Sequence, residues 1–259
     1  MTRETTTSSD GTTISYRVIG EGEQTVVLVH GWMVSGAVYD TILPALAGLG
    51  ARLVVPDLRG TGASEPGASG YAIDRYVEDV VAVMDAAGGG AVDMVGHSMG
   101  GQIAQIVAAR HPGRVSRLAL VCPVPASGIP LPDEARGLFS TSGGDRDKQA
   151  MILGMACLKL EDSARDALLD DAGGIPAACI EESFGAWAAG GFEGELGAIT
   201  AQTLVVGTDD PFLPPDFLNA AVVGPIAGAT FLHIPGPGHY PLIEQTQDCA
   251  DALTAFLSA

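Results

Sequence analysis

Ser98 lies between Gly96 and Gly100 in the pattern Gly-x-Ser-x-Gly. A short apolar run, residues 92–95, precedes the pattern, and a helical pattern, residues 102–110, follows it. This order predicts a nucleophile elbow, a sharp strand-to-helix turn that lifts a serine hydroxyl clear of a sheet. The two glycines leave out side chains that would collide with the strand and the helix. We therefore predict that Ser98 is a nucleophile at the positive end of a helix dipole.

A general base should lie near this serine, because a serine hydroxyl is a weak nucleophile until an imidazole takes its proton. The pattern alone can arise by chance in a chain with 35 glycines, so its partners decide the matter. His239 follows the strand-like residues 230–234, and loops after strand ends converge on the ligand crevice of an open α/β sheet. We predict His239 as the base. Structural roles are expected for His233 within a strand, His111 at a helix end, and His30 and His97 beside the site.

Two adjacent carboxylates, Asp209 and Asp210, follow the apolar run 204–206 and Gly207. We predict that Asp210 orients the base, because the third residue after such a glycine projects toward the histidine loop in this kind of fold. Asp209 would more naturally cap the turn or face water, and it remains the alternative. Another common place for the acid, the end of the preceding strand, holds Cys122 and no carboxylate.

Backbone N–H groups are predicted to hold the oxyanion of the reaction. One donor is the N–H of Met99, directly after the nucleophile, and we place the second on Trp32, in the loop after the first long buried strand. The Trp32 ring either lines the acyl pocket or simply packs. Residues 57–64 are rich in glycine but lack the Gly-Lys-Ser/Thr ending of a phosphate loop, so we expect a structural turn there.

Short apolar runs alternate with helical patterns along the chain, which predicts an α/β fold with a mostly parallel, doubly wound sheet. Residues 12–19 instead alternate apolar and polar positions, as an exposed antiparallel strand does. The predicted buried strands are residues 26–29, 53–55, 92–95, 118–121 and 204–206. The predicted helices between them are residues 38–49, 73–87, 99–111, 216–223 and 242–257.

Residues 123–202 separate two predicted strands by far more chain than a β-α-β crossover needs. Helical patterns within this interval cover residues 133–140, 146–160, 163–171 and 176–189. We predict a helical cap inserted into a core of residues 1–122 and 203–259; the alternative is a set of surface helices with no substrate role. The candidates for the substrate pocket are the aromatic residues Trp32, Phe139, Phe184, Trp187 and Phe192.

The net charge of the 259-residue chain is −18, from 13 Lys and Arg and 31 Asp and Glu. Such a surface repels phosphate backbones and anionic lipid, so we expect neither a nucleic-acid nor a membrane partner. No apolar run approaches a membrane span, and no secretory signal is visible. The four cysteines have no metal-binding spacing, which predicts free thiols, a cytoplasmic protein and no metal.

Together these segments resemble the α/β-hydrolase superfamily over nearly the whole chain. The residues that carry the resemblance are 30–32, 57–64, 96–101, 207–210 and 238–241. Within the superfamily the chain looks like the serine esterases grouped with cofactor-free haloperoxidases and lactonases, which implies that no organic cofactor is needed. A serine at the elbow departs from haloalkane dehalogenases and epoxide hydrolases, which place aspartate there. Carbon–carbon hydrolases often carry Asn where His97 stands.

These residues predict a serine hydrolase of the carboxylesterase or lactonase type, which cleaves a small to medium, largely apolar ester or lactone through an acyl-enzyme. The sequence of the cap shows no cluster of arginines that would bind a carboxylate or a phosphate group of a substrate. One alternative is a ligand receptor or signalling protein that keeps the hydrolase scaffold. The other is an acyltransferase, or a perhydrolase with haloperoxidase-like activity. The sequence predicts no oligomeric state.

Overall fold

An eight-stranded sheet lies at the centre of the computed structural model, which describes residues 1–259. Its strands, β1 to β8 in chain order, are Thr2–Thr7, Thr13–Ile19, Thr25–Val29, Arg52–Pro56, Val92–His97, Val115–Val121, Gln202–Gly207 and Thr230–His233. They lie side by side in the order β1-β2-β4-β3-β5-β6-β7-β8. β1 and β2 pair antiparallel, whereas the six strands β3 to β8 run parallel to one another. The predicted mostly parallel sheet is confirmed.

Helices cover both faces of this sheet. The α-helices, α1 to α10 in chain order, are Leu43–Leu46, Ile73–Ala86, Met99–Arg110, Asp133–Ser140, Arg146–Ala156, Asp162–Gly173, Ala177–Ala189, Pro215–Leu218, Pro241–Glu244 and Thr246–Leu257. α2 packs against α3, and α1 packs against α10. All six residues of β5 are buried, which requires cover on both sides and explains the continuous apolar runs of the central strands. The carboxyl ends of β5, β7 and β8 lie at one edge of the sheet, where a ligand crevice is expected.

The first two strands differ from the sequence prediction. The polar residues of β1 carry no strand signal, yet they pair with β2 along its length. The expectation that β2 is exposed is wrong, because its five central residues are buried. Its polar side chains find partners inside the protein: Ser15 Oγ accepts from Arg3 (2.9 Å), and Arg17 donates to Asp40 (2.7 Å). An alternating strand can therefore be covered on both faces when its polar positions are satisfied.

Three predicted helices are interrupted. Residues 38–49 contain only the short α1 between two 3₁₀ turns; α1 includes Pro44, which has no N–H for a helical hydrogen bond. Residues 216–223 form α8 and then a π-helical turn, Asn219–Val223. Residues 242–257 divide into α9 and α10 at Gln245, whose φ of −148° is not helical. None of the helices, whole or interrupted, is long and apolar enough to cross a bilayer.

Between β6 and β7 the chain leaves the sheet and forms α4 to α7, followed by the 3₁₀ turn Glu193–Ala198. The four helices agree with the predicted ones to within a few residues. We call this segment, residues 122–201, the insertion. Hydrogen bonds join it to the loop after β3: the Trp32 indole N–H donates to the Ile180 carbonyl (2.8 Å), and Ser35 donates to Asp171 from its N–H (2.7 Å) and its hydroxyl (2.9 Å). The insertion is therefore held against the edge of the sheet where β3 ends.

Candidate active site

Ser98 stands at a tight turn between β5 and α3. Its φ of 55° and ψ of −124° are rare and strained for a residue with a side chain. The turn brings α3 so close to β3 that a Cβ at Gly100 would lie 2.2 Å from the Val29 carbonyl oxygen. A Cβ at Gly96 would lie 2.6 Å from the Gly100 carbonyl oxygen. Both glycines of the motif are thus required by close backbone approach.

A chain of two hydrogen bonds runs from Ser98 through His239 to Asp210. Ser98 Oγ lies 2.8 Å from His239 Nε2, and His239 Nδ1 lies 2.6 Å from Asp210 Oδ2. The Asp210 side chain is fully buried, whereas the His239 ring is 14% exposed. An ionised Asp210 only accepts, so Nδ1 carries the proton and Nε2 is free to accept the serine proton. The arrangement can move a proton from the hydroxyl to the imidazole.

Asp209 lies in a different network from Asp210. Its carboxylate accepts from the Gly236 N–H (2.8 Å) and pairs with His233 Nε2 (2.8 Å) on the exposed side of the loop. The Gly236 N–H and the His233 ring lower the pKa of Asp209. The geometry therefore joins Asp210, and not Asp209, to His239. His233 lies at the surface of the protein.

The loop that carries His239, residues 235–241, is held by hydrogen bonds between its backbone and residues outside it. We call it the His239 loop. The Thr208 hydroxyl donates to the Gly238 carbonyl (2.7 Å), and the His239 N–H donates to the carbonyl of Ala156 at the end of α5 (2.9 Å). His97 Nε2–H donates to the His239 carbonyl (2.8 Å). Burial, helped by the nearby His239, lowers the pKa of His97 to about 3. His97 is therefore uncharged at neutral pH, and its hydrogen bond to the His239 carbonyl helps to hold the loop in place.

The loop after β3 passes directly over the serine. A Cβ at Gly31 would lie 2.8 Å from the Ser98 Cβ, so only glycine allows this approach. The next N–H in the loop, that of Trp32, has no hydrogen-bond partner. The Met99 N–H is the first of α3 and has no intrahelical acceptor. Two backbone N–H groups without a partner thus lie in the two segments that adjoin Ser98.

A small cavity opens at Ser98 and His239, and 13 of the 15 residues that line it are hydrophobic. No Asp, Glu, Lys or Arg side chain is among them. From the insertion, Phe139 and Trp187 contribute aromatic rings, and Ile152 and Leu153 contribute aliphatic side chains. Trp32 stacks on Phe139 with ring centroids 5.5 Å apart. The site can therefore bind an uncharged, largely apolar group beside the serine.

Three of the five aromatic pocket candidates, Trp32, Phe139 and Trp187, line this cavity, and two do not. Phe184 lies behind the wall, where its ring packs edge-on against Trp187 at 5.1 Å. Phe192 lies against the guanidinium of Arg110 at 5.4 Å, outside the cavity. The expectation for these two was wrong, because the presence of an aromatic residue in the insertion does not show whether its side chain faces the cavity.

Other residues near the site carry no distinctive sequence pattern. Phe212 and Tyr240 line the cavity, and their only signal is that they stand within two residues of Asp210 and His239. Glu244 accepts hydrogen bonds from the His239 loop, and nothing in its sequence context marks it. No three His, Cys, Asp or Glu side chains are grouped so that they could hold a metal ion, and the four cysteines are unpaired.

Comparison with known proteins places this architecture in a family. A sequence model described as the alpha/beta hydrolase fold matches residues 24–150. The putative carbamate hydrolase RutD of Variovorax paradoxus (strain S110) is 31% identical over 256 residues, which cover 95% of this chain and 96% of that protein. The chain belongs to the α/β-hydrolase family. The resemblance seen in the sequence is confirmed.

Two further relatives show how far the likeness extends. A non-heme chloroperoxidase of Streptomyces lividans is 37% identical to this α/β hydrolase over 123 residues, which are 47% of the chain and 45% of the chloroperoxidase. The chain thus matches less than half the length of that relative. An esterase from Exiguobacterium antarcticum superposes with a TM-score of 0.91 over 98% of this chain and 99% of the esterase, at 22% identity. At that identity the superposition shows the fold alone.

Proposed function

We propose that this α/β hydrolase is a serine hydrolase of the carboxylesterase or lactonase type. It cleaves a small to medium, largely apolar carboxylic ester or lactone through an acyl-enzyme. The observation that carries the proposal is the hydrogen-bonded series of Ser98, His239 and Asp210 at an apolar cavity. The similarity to a putative carbamate hydrolase also supports a hydrolase.

In the first half of the reaction, Ser98 Oγ attacks the carbonyl carbon while His239 Nε2 takes the serine proton. Asp210 holds the Nδ1 proton in place and stabilises the imidazolium. The N–H groups of Trp32 and Met99 donate to the oxyanion. His239 then gives its proton to the leaving alcohol, which for a lactone stays attached to the acyl group. In the second half, water loses a proton to His239 and attacks the acyl-enzyme, and His239 then returns the proton to Ser98 Oγ as the carboxylic acid leaves.

We propose that residues 123–202 act as a cap on a core formed by residues 1–122 and 203–259. Phe139, Ile152 and Leu153 of this segment line the cavity, so the acyl group of a bound ester would contact them. Since the lining has no acidic or basic residue apart from the titratable His239 and Tyr240, an ionised acyl group would lose its hydration without a partner. Uncharged acyl groups should therefore be preferred.

The first test is steady-state hydrolysis of a panel of p-nitrophenyl esters by the wild type and by Ser98→Ala. We expect Ser98→Ala to lose on the order of 10⁴-fold or more in kcat while keeping its fold, because the nucleophile is removed. Ser258→Ala, which changes an exposed serine, is the matched control and should keep full activity. Near wild-type turnover by Ser98→Ala would exclude the proposal. A wild type that makes one slow turnover and keeps the adduct would indicate a ligand receptor instead.

A bifunctional esterase/perhydrolase of Acinetobacter calcoaceticus, which is 32% identical over 134 residues, favours one second candidate, a perhydrolase. In that reaction hydrogen peroxide replaces water, attacks the same acyl-enzyme and releases a peracid and free Ser98. Product analysis with hydrogen peroxide and an alcohol as competing nucleophiles separates the two functions. Acid as the dominant product supports hydrolysis, whereas peracid or transferred ester as the dominant product supports a perhydrolase or an acyltransferase.

A further inference from the structure

The carboxylate of Glu244 accepts four backbone hydrogen bonds from two separate segments of the chain. The N–H groups of Gly238 and Tyr240 donate to it at 2.9 Å each. The N–H groups of Leu158 and Lys159 donate to it at 2.8 Å each. The first pair belongs to the His239 loop, and the second pair follows α5 in the insertion.

Helix capping accounts for only one of these bonds. A glutamate in the first turn of a helix commonly reaches back to the N–H of the residue before that helix. The bond from Tyr240 is of this kind, because Tyr240 precedes α9 and Glu244 ends it. The bonds from Gly238, Leu158 and Lys159 come from outside this helix. The carboxylate therefore joins the insertion to the His239 loop as well as capping α9.

The end of α5 also touches the His239 loop directly. Ala156, the last residue of α5, lines the cavity, and its carbonyl oxygen accepts from the His239 N–H (2.9 Å). A Cβ at Gly238 would lie 2.2 Å from the same oxygen, so there is no free space between the two segments. Since Gly238 and Tyr240 flank His239, Glu244 fixes the backbone on both sides of the imidazole.

We propose that Glu244 is a positioning residue that couples the insertion to His239. Its carboxylate holds the His239 loop against the end of α5, and this keeps the imidazole within hydrogen-bond distance of Ser98. Displacement of α5 would then move the imidazole away from the serine. The inference rests on the proposed function, in which His239 is the general base.

The test replaces the carboxylate with an amide in Glu244→Gln. An amide nitrogen cannot accept, so at least one of the four N–H groups loses its acceptor. We expect kcat for a p-nitrophenyl ester to fall between about tenfold and about a hundredfold, with KM within about twofold, because the base is misplaced while the cavity is intact. Glu181→Gln changes an exposed glutamate of the insertion with no hydrogen bond, and it should leave both constants unchanged.

A second readout does not depend on turnover. The proton on His239 Nδ1, bonded to Asp210 at 2.6 Å, should give a low-field proton resonance in the wild type. This resonance should shift or broaden in Glu244→Gln. If Glu244→Gln does not fold, Glu244→Asp takes its place in both experiments, with the same expected results. This variant keeps the negative charge, but its side chain is shorter by one methylene group.

An unchanged kcat in a folded Glu244 variant would overturn the proposal. A variant in which only KM changes would also overturn it. The fraction of active protein is the fraction of serine that reacts with a fluorophosphonate, and a fall in kcat that disappears after division by this fraction would overturn it as well. If the wild type hydrolyses no ester, the proposed function fails, and the proton resonance alone then decides whether Glu244 positions His239: an unchanged resonance overturns it.

Discussion

Three histidines near Ser98 are held in defined tautomers by what surrounds them. The Leu58 N–H donates to His30 Nε2, and His30 Nδ1–H donates to the Gly31 carbonyl. His97 donates from Nε2 to a carbonyl, whereas His239 donates from Nδ1 to a carboxylate. Burial lowers the pKa of His30 and of His97, so both stay neutral at neutral pH. Of the three, only His239 is bonded to an ionised acid and to the serine.

The two adjacent aspartates give a matched pair of variants. Asp210→Asn should lower kcat on the order of 10⁴-fold, because an amide at this place favours the wrong tautomer of His239. Asp209→Asn changes an exposed carboxylate bonded to His233 and should leave kcat within about threefold of the wild type. Ester turnover of both purified variants checks this. The reverse order of losses would assign the acid to Asp209.

The buried His97 predicts that stability depends on pH. Its pKa is about 3 in the folded protein against an ordinary value of 6.5, so the unfolded chain binds a proton that the folded protein does not. This contribution to stability is complete above pH 6.5 and is lost as the pH falls below it, by up to about 1.4 kcal/mol per pH unit. Urea unfolding at about pH 7.5 and about pH 5.5 measures the loss. Between these two pH values, His97→Gln should lose less free energy of unfolding than the wild type. Equal losses in the two proteins would show that His97 does not cause the pH dependence.

The sequence predicted those helices, strands and turns that depend on local patterns. β5, the turn at Ser98 and α3 follow from one short stretch with its own apolar run and glycines. The helices of the insertion follow from their Gly and Pro breaks. Contacts between distant segments were not predictable from the sequence. The polar β1 is a strand because it pairs with β2, and Glu244 accepts a hydrogen bond from Leu158, which is 86 positions away. The direction of the Phe184 side chain, which points away from the cavity, also depends on contacts between distant segments.

The close packing of α3 on β3 gives a prediction about two glycines in helices. Gly100→Ala should destabilise the protein by about 1–3 kcal/mol, because its Cβ would overlap the Val29 carbonyl oxygen. Gly154→Ala in α5 places its Cβ in open space and should stabilise by up to about 1 kcal/mol through helix propensity. Urea unfolding of both variants checks the contrast. A Gly100→Ala protein as stable as the wild type would show that α3 can shift away from the sheet.

The charge of the protein as a whole differs from the character of its cavity. The chain carries a net charge of −18, whereas no Asp, Glu, Lys or Arg lines the cavity. The surface field therefore acts on a substrate during approach, and the lining acts on it after entry. Both effects disfavour an anionic ester.

Ionic strength separates these two effects. We expect kcat/KM for an ester with a carboxylate in its acyl group to lie below that of the neutral isostere and to rise with added salt, because salt screens the repulsion. The neutral ester is the control and should change little. A preference for the anionic ester at low salt would contradict this reading of the cavity and the surface.

Acylation of Ser98 is tested most directly by the intact mass of the protein after its reaction with a p-nitrophenyl ester has been quenched rapidly. The wild type should gain the mass of one acyl group, and a peptide map should place that group on Ser98. Ser98→Ala should gain nothing, and His239→Ala should acylate far more slowly. Hydrolysis without any adduct on Ser98, or an adduct of equal yield in Ser98→Ala, would show that Ser98 is not the nucleophile.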